Sequence, residues 1–375
     1  MLLKNDADLL PAAHGLQRIL VIGRHADVGV LCGGGSSAVT PLGSIVEPSG
    51  IDRVWADRVY QPSPPLRAIQ AEARAAHVDF LDGTDHAAAV TAARDADLVV
   101  IIAEEWRAEG LDSQGVGLPD GQEKLIEQVA AANPRTVVVI ESGGAISVPW
   151  ALNVPAVIAA FYPGGGGGPA IAGVLFGRVN PSGHLPVTFP TSIDQLPRPE
   201  QHDPATTTSN PNMERIGEIF EVSYDIEGSD VGYRWFEREQ LTPDYPFGWG
   251  LSYTTFAFSG LSVTAHGREV SVSGTITNTG DRTGAGRCAG VRQPRDSRLH
   301  PQRQEGGRFR SSPGRVRAGA PGARGKPCSR AAPRAPTARL LGRRRRRVPD
   351  RRRRLRGAHR RARPRRGRAN EHRPS

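Results

Sequence analysis

Short apolar runs alternate with amphipathic stretches of similar spacing through roughly the first 180 positions of this chain. Apolar runs rich in Val and Ile predict buried strands, and the longer periodic stretches between them predict helices. The predicted strands cover residues 18–23, 78–81, 97–105, 136–142 and 154–161. The predicted helices cover residues 65–76, 85–96, 121–132 and 168–177, with Pro65 opening the first and Asp85 near the cap of the second.

Strands separated by helices require crossover connections, and these favour a mostly parallel sheet with helices on both faces. The predicted fold class is therefore α/β, a three-layer α/β/α sandwich over residues 1–190. In such sheets ligands bind beyond the carboxyl ends of the strands. This rule points to the segments that follow Gly23, Ala103 and Ser142.

The pattern changes after the predicted sheet domain. The next stretch is rich in Pro, Thr, Asn and Asp, which predicts an irregular connector over residues 191–258 that packs on the sheet domain. Residues 259–285 alternate apolar and polar side chains between Gly and Asn turns, which predicts the opening strands of a β-sandwich. No further strands of this kind follow, so we expect the sandwich to be incomplete.

Charge divides the chain at about residue 286. Residues 286–375 contain 31 Arg or Lys and 4 Asp or Glu, whereas residues 1–285 contain 18 and 34. Because this tail has one aromatic residue, Phe309, and few branched aliphatics, it is predicted to be disordered. Its Arg runs predict non-specific binding to nucleic acid, although the tail lacks a recognition module. Translation of a GC-rich gene in a shifted frame is the alternative explanation of its composition.

Cysteine and hydropathy patterns exclude several classes of protein. Cys32, Cys288 and Cys328 form neither a disulfide framework nor a CxxC pair, and the histidines show no metal-binding spacing. No metal ion or cofactor is therefore predicted. Since the N-terminus lacks an apolar signal segment and no run of eighteen apolar residues occurs, we expect no export signal, no membrane span and a cytoplasmic location by default.

Four carboxylates lie at the end of the strand predicted over residues 97–105 and just after it. They are Glu104, Glu105, Glu109 and Asp112, and they lead into a helix that begins near Asp120. A carboxylate on a loop at this end of a sheet is well placed to act as a general acid or base. Simple solvation of acidic side chains at a strand exit is the alternative.

A glycine-rich loop, Gly33 to Gly35 followed by Ser36 and Ser37, comes after the first predicted strand. It lacks the GxGxxG spacing and the GK[ST] ending of nucleotide-binding loops, so nucleotide binding is not predicted.

Several sequence motifs, in this order, resemble those of glycoside hydrolase family 3. They are "LLKNDADLLP" (2–11), "GGGSSAVTP" (33–41), Glu109-Gly110 ahead of "LPDGQEKLI" (118–126), "YPGGGGGPAIAGVLFGRVNPSGHLPVTFP" (162–190), "VGYRWFE" (231–237), "YPFGWGLSYTTFAFS" (245–259) and "VSGTITNTGDRTGA" (272–285). The resemblance extends over residues 2–285. It implies the C-terminal α/β domain of that family, followed by the start of its fibronectin type III-like domain.

The resemblance also implies a function. It identifies Glu109 as the general acid/base of a retaining β-glycosidase of the β-glucosidase or β-xylosidase class. Ser36 and Ser37 are then candidate hydroxyl partners of the sugar, on a loop that lines the cleft. Trp106 either stacks on a sugar ring or plugs the space beneath the loop.

In this family a (β/α)8 barrel precedes the α/β domain and supplies the nucleophilic Asp. The motifs of this chain all match the region after that barrel, so no residue here is assigned as the nucleophile. We therefore expect a β-glycoside or oligosaccharide substrate, a separate barrel domain as partner, and no turnover by this chain alone. A non-catalytic remnant domain, or a protein that associates with nucleic acid through its tail, remains the alternative.

Overall fold

The computed structural model describes residues 1–51, 56–111, 113, 115–203, 206–208, 218–266, 269–288, 314–317 and 326–330. The strands are β1 (Leu2–Asn5), β2 (Arg18–Ile22), β3 (Val30–Cys32), β4 (Ile45–Glu47), β5 (Arg58–Gln61), β6 (His77–Leu81), β7 (Leu98–Glu105), β8 (Thr136–Ser142), β9 (Ala156–Ala159), β10 (Thr207–Thr208), β11 (Glu218–Ile219), β12 (Phe256–His266), β13 (Glu269–Asn278), β14 (Ala285–Cys288), β15 (Gly314–Arg317) and β16 (Lys326–Arg330). The helices are α1 (Pro65–Glu72), α2 (His86–Arg94), α3 (Gln122–Ala132), α4 (Gly167–Leu175) and α5 (Tyr233–Arg238).

Six strands form the central sheet in the order β1-β9-β8-β7-β2-β6. All neighbouring pairs run parallel except β1 and β9, which pair antiparallel at one edge. The expected α/β class with a mostly parallel sheet is confirmed. Each predicted strand and helix of this domain is present, with ends that differ from the predicted ones by a few residues.

Successive residues of β2 point to opposite faces of the sheet, and both faces are buried. Ile19 and Val21 pack in one apolar cluster with α1 and α4, whereas Leu20 and Ile22 pack in a second cluster with α2 and α3. A strand covered on both faces needs apolar side chains at every position. This requirement explains the unbroken run "ILVI" and places helices on each side of the sheet.

From β2 the chain first adds the neighbouring strand β6 on one side and then returns to add β7 on the other side, so the order of strand addition reverses between β2 and β7. Helix α1 follows β2 on one face of the sheet, and the chain then continues through β6 and α2 to reach β7 on the other side of β2. A reversal of this kind opens a crevice beyond the carboxyl ends of the two central strands. The residues that follow Ile22 and Glu105 border this crevice.

Two features of the sheet region were not predicted. The edge strand β1 is only four residues long, which is too short to show an alternation of apolar and polar residues. Tertiary contacts hold it in place, such as the hydrogen bond from Leu251 N to Leu2 O (2.8 Å). A small antiparallel sheet in the order β3-β5-β4 lies between β2 and α1 along the chain. Its strands have three or four residues each, too few to establish an alternating pattern.

Buried aromatic residues join the segment after α4 to the central sheet. Trp249 Nε1 donates a hydrogen bond to Leu3 O at 2.8 Å, and Tyr245 packs edge-on against Phe189. The predicted connector also contains the short helix α5. The domain boundaries drawn from the sequence stay predictions.

The chain divides into two compact units. The first comprises Met1–Leu261 and Ser273–Cys328, and the second comprises Ser262–Val272 and Ser329–Ser375. Strands β12 and β13 occur where alternation predicted strands, while the fibronectin-like sandwich stays a prediction. Most of residues 286–375 lie outside the described residues, so the expected disorder and nucleic-acid binding of the tail are untested. The strands described within it are β15, β16 and all of β14 except its first residue.

Candidate functional site

Two loops meet beyond the carboxyl ends of the central strands. One is the glycine-rich loop after β3, and the other, residues 106–111 after β7, is called the acidic loop here. An isolated parallel bridge joins Gly34 to Ala108. Gly34 N donates to Arg107 O at 3.0 Å, and Glu109 N donates to Gly34 O at 3.4 Å. The predicted Glu109 and Ser36 are thereby brought side by side.

Glu109 is exposed, and its carboxylate is tied to the glycine-rich loop. Ser36 N donates a hydrogen bond to Glu109 Oε2 at 2.8 Å. Hydrogen bonding from the side chain and the backbone of Ser36 lowers the pKa of Glu109 below its usual value. A carboxylate in this setting is ionised at neutral pH.

Ser37 and Trp106 occupy different positions from Ser36. The Ser37 hydroxyl donates to Gly34 O at 3.1 Å, within the short 3-10 turn Gly35–Ser37. The Trp106 ring contacts Gly34, and its buried Nε1 has no hydrogen-bond partner. Neither contact tests the predicted substrate-binding role of these residues. The next strand after the glycine-rich loop is β4 of the small sheet.

A cleft of about 500 Å³ opens next to the acidic loop. Its walls include Arg58, Tyr60, Glu104, Trp106 and Leu111. Trp106 is thus the one predicted site residue that lines this cleft among the residues described; Ser36, Ser37 and Glu109 lie outside its lining. The four predicted side chains therefore lie on the two contacting loops and do not converge on a single cavity.

The other carboxylates of the predicted acidic cluster are not simply solvated. Glu105 is buried and accepts hydrogen bonds from Arg107 Nε at 2.7 and 2.9 Å. Burial raises the pKa of Glu105, and the Arg107 guanidinium opposes that shift. Asp112, the fourth member, lies outside the described residues.

A histidine that the sequence analysis did not single out lies at the crevice. His25 Nδ1 is 2.7 Å from Glu104 Oε1, and His25 Nε2 is 3.1 Å from Glu47 Oε2. Burial alone would lower the pKa of His25, but hydrogen bonding and charge from the two carboxylates raise it. The ring stacks on Tyr60 with centroids 3.9 Å apart. His25 is two residues beyond Gly23, so the strand-end rule already pointed to this segment.

A second unforeseen group is Glu141, near the end of β8. It is fully buried beside Glu104 in the sheet register, and burial raises its pKa to about 8. Glu141 Oε2 accepts a hydrogen bond from Leu31 N at 2.8 Å, whereas Oε1 has no partner. This carboxyl is protonated at neutral pH and holds β3, which leads into the glycine-rich loop.

The family model of the glycosyl hydrolase family 3 C-terminal domain matches residues 1–253. This chain belongs to glycoside hydrolase family 3.

Among the described residues no group of three or more His, Cys, Asp or Glu is arranged to hold a metal ion, and no helix there is long and apolar enough to cross a bilayer.

Characterised relatives of this family 3 chain carry two different activity names. A β-glucosidase of Rhizobium radiobacter is 42% identical over 207 residues, which are 53% of this chain and 24% of that protein. An exo-α-(1→6)-L-arabinopyranosidase of Bifidobacterium longum is 35% identical over 296 residues, 75% of this chain and 36% of that protein. This chain thus corresponds to about a quarter to a third of the length of these relatives.

A solved structure extends the comparison to the fold. The family 3 β-glucosidase of Bifidobacterium adolescentis superposes with a TM-score of 0.65 at 31% identity, over 88% of this chain and 45% of that chain. This chain therefore shares the fold of the matched 45% of a family 3 β-glucosidase.

Proposed function

We propose that this chain supplies the general acid/base carboxyl group of a retaining glycosidase of the β-glucosidase type, and that Glu109 is that group. The observation that carries the proposal is the docking of the acidic loop onto the glycine-rich loop, which presents an exposed Glu109 beyond the sheet. The Glu109-Gly110 pair ahead of "LPDGQEKLI" matches the family's acid/base loop.

Retaining hydrolysis requires two carboxyl groups about 5–5.5 Å apart across the scissile bond. One attacks the anomeric carbon, while the other protonates the leaving oxygen and later takes a proton from water. Glu109 is proposed for the second role. By family resemblance the nucleophile is an Asp of the (β/α)8 barrel, so this proposal assigns it to no residue of the sheet domain.

Glu109 needs a different environment to act as an acid. Its pKa is lowered by Ser36, and a proton donor at neutral pH requires a raised one. A nearby nucleophile carboxylate and removal of solvent would both raise the pKa of Glu109. We therefore propose that the chain alone does not turn over substrate and that a barrel domain completes the site.

The proposed substrate is a terminal sugar in β-linkage. The name of the β-glucosidase relative supports this class, while the other relative is named for an α-linked L-arabinopyranoside, so the proposal does not fix the sugar. Ser36 and Ser37 are proposed to contact sugar hydroxyl groups. Trp106 is proposed to bind the sugar along the wall of the cleft that its side chain lines.

Complementation tests this function. The full chain is assayed on an aryl β-glucoside alone, and again with the part of the Rhizobium radiobacter enzyme outside the 207 matched residues. We expect turnover only in the mixture, and we expect Glu109→Gln to abolish it. The exposed helix residue Glu127 provides the control, since Glu127→Gln should have no effect. Turnover by the chain alone would contradict the proposal, as would an active Glu109→Gln mixture.

A further inference from the structure

Three side chains form a hydrogen-bonded cluster behind the acidic loop: Glu105, Arg107 and Tyr162, called the clamp here. The Tyr162 hydroxyl accepts a hydrogen bond from Arg107 N at 2.7 Å and donates one to Glu105 O at 3.1 Å. Arg107 Nε bonds both carboxylate oxygens of Glu105, and its Nη2 donates to Ala145 O at 2.9 Å. Both ends of the Glu105–Arg107 segment are thus fixed.

The clamp connects directly to Glu109 through the backbone. The carbonyl of Arg107, whose N–H is held by Tyr162, accepts the hydrogen bond from Gly34 N. Gly34 in turn accepts from Glu109 N, and Ser36 N, two residues further, donates to the Glu109 carboxylate. A continuous series of hydrogen bonds therefore leads from Tyr162 to the carboxylate of Glu109.

The composition of the clamp favours a positioning role over a purely stabilising one. A buried ion pair gains little net stability, because removing both charges from water offsets their attraction. Glu105 has only about 6% of its surface exposed, and both of its carboxylate oxygens accept from Nε of Arg107, while Nη2 of the same guanidinium is held by Ala145 O. Apolar side chains of similar size would fill the space without fixing the Arg107 backbone.

The backbone of Gly143 packs closely against the clamp. A Cβ on Gly143 would lie 2.7 Å from the Tyr162 hydroxyl and 2.8 Å from Arg107 Cβ. Gly143 N also donates to Glu105 Oε2 at 3.3 Å. The loop after β8 therefore encloses the clamp from a second side.

We propose that Tyr162, Arg107 and Glu105 are positioning residues that fix the acidic loop against the glycine-rich loop and so set where the Glu109 carboxylate lies. This inference deepens the proposed function and rests on it for the meaning of Glu109. The tyrosine hydroxyl is the sensitive point, because it alone joins the backbone N–H of Arg107 to the carbonyl of Glu105.

The test is a titration of Glu109 in the full chain, followed by NMR of its ¹³C-labelled carboxyl and the ¹⁵N amide of Ser36. In the wild type the pKa of Glu109 lies below the usual value of about 4.3. Tyr162→Phe removes only the hydroxyl, and we expect the pKa of Glu109 to rise toward 4.3 while the Ser36 amide shift loses its pH dependence. Tyr253→Phe is the matched control, since the Tyr253 hydroxyl bonds Val174 O at 2.7 Å elsewhere in the domain.

Arg107→Lys is the second variant, because it keeps the positive charge beside Glu105 but loses the planar guanidinium that bonds Glu105 and Ala145 O together. We expect the same upward shift. An unchanged Glu109 titration in either folded variant would overturn the proposal, and unfolding of both variants would show that the clamp serves the fold instead of the loop.

The titration needs no turnover. A shifted titration combined with an active Glu109→Gln mixture would therefore refute the proposed function alone, and an unchanged one with an inactive mixture would refute the clamp alone.

Discussion

Two carboxyl groups at the end of the sheet have opposite environments. Glu109 is exposed and accepts hydrogen bonding from Ser36, which lowers its pKa, whereas Glu141 is about 1% exposed and its pKa is raised to about 8. At neutral pH the first is ionised and the second is protonated. The neutral acid, Glu141, lies behind the glycine-rich loop and does not face solvent. The proposed proton donor, Glu109, therefore needs a change in its own surroundings that raises its pKa before it can carry a proton at neutral pH.

Glu141 makes the stability of the chain depend on pH. The unfolded chain ionises this carboxyl near its ordinary pKa, about 4.3, while the folded chain keeps it protonated up to about 8. The unfolded state therefore binds fewer protons between these values, and the contribution of Glu141 to the free energy of unfolding falls as pH rises through that window. Glu141→Gln keeps an acceptor for Leu31 N and cannot ionise. We expect it to be more stable than the wild type at pH 8 by a few kcal/mol, with little difference at pH 4.5.

Urea denaturation at pH 4.5, 6 and 8 measures this effect. Glu127→Gln, on the exposed face of α3, should follow the wild type at each pH. A stability difference between Glu141→Gln and wild type that stays constant from pH 4.5 to 8 would rule out a buried, protonated Glu141.

At the scale of elements, the contact between the two loops depends on glycine. A Cβ on Gly34 would lie 2.6 Å from Ala108 Cβ and 2.7 Å from Trp106 Cζ2, closer than side chains approach. A Cβ on Gly35, where φ is +75°, would lie 2.5 Å from Glu109 Cβ. The glycine-rich loop is therefore glycine-rich because another loop lies directly on its backbone.

Gly34→Ala tests this contact. We expect the two loops to separate, the pKa of Glu109 to rise as the hydrogen bond from Ser36 weakens, and the free energy of unfolding to fall by about 1–3 kcal/mol from overpacking. Urea denaturation and the NMR titration of Glu109 measure both effects. Gly166→Ala is the control, because Gly166 is exposed and its added Cβ would meet nothing within 4 Å. Equal behaviour of the two variants would contradict the loop contact.

Strands buried on both faces were readable from the sequence, since β7 and β8 are continuous apolar runs between periodic helices. The strands β3, β4 and β5 were not, because each has only three or four residues and their order is set by tertiary contacts that no local pattern encodes. The same reason applies at the site. The rule that ligands bind beyond the carboxyl ends of strands, together with the family resemblance, indicated Glu109 and the glycine-rich loop. The burial of Glu105 and Glu141 follows from tertiary packing that no local pattern encodes.

At the scale of the whole molecule, the region after the sheet domain presents apolar surface. Phe258, Leu261 and Val263 on β12 are each more than half exposed. An exposed apolar strand favours association with other chains. This surface lies where the sequence analysis expected the opening of an incomplete sandwich.

Shortened chains test whether the exposed strands lower the solubility of the protein. We expect a chain that ends at Ser259 to give a higher soluble yield than the full chain, because it lacks most of β12 and all of β13. A chain that ends at Ala285 is the control: it loses the Arg-rich segment but keeps both strands, and it should be less soluble than the shorter chain. A lower soluble yield for the chain that ends at Ser259 would argue against exposed strands as the cause.

Proton donation by Glu109 is the central claim, and the leaving group of the substrate tests it most directly. In the complemented enzyme, Glu109→Gln is compared with the wild type on an alkyl β-glucoside, whose leaving oxygen needs a proton, and on a dinitrophenyl β-glucoside, whose leaving oxygen needs none. General acid catalysis contributes about 10²- to 10⁴-fold. We predict a loss of that size in glycosyl-enzyme formation on the alkyl substrate and little loss on the dinitrophenyl substrate. Equal losses on both substrates, or none on either, would contradict the assignment of Glu109 as the acid.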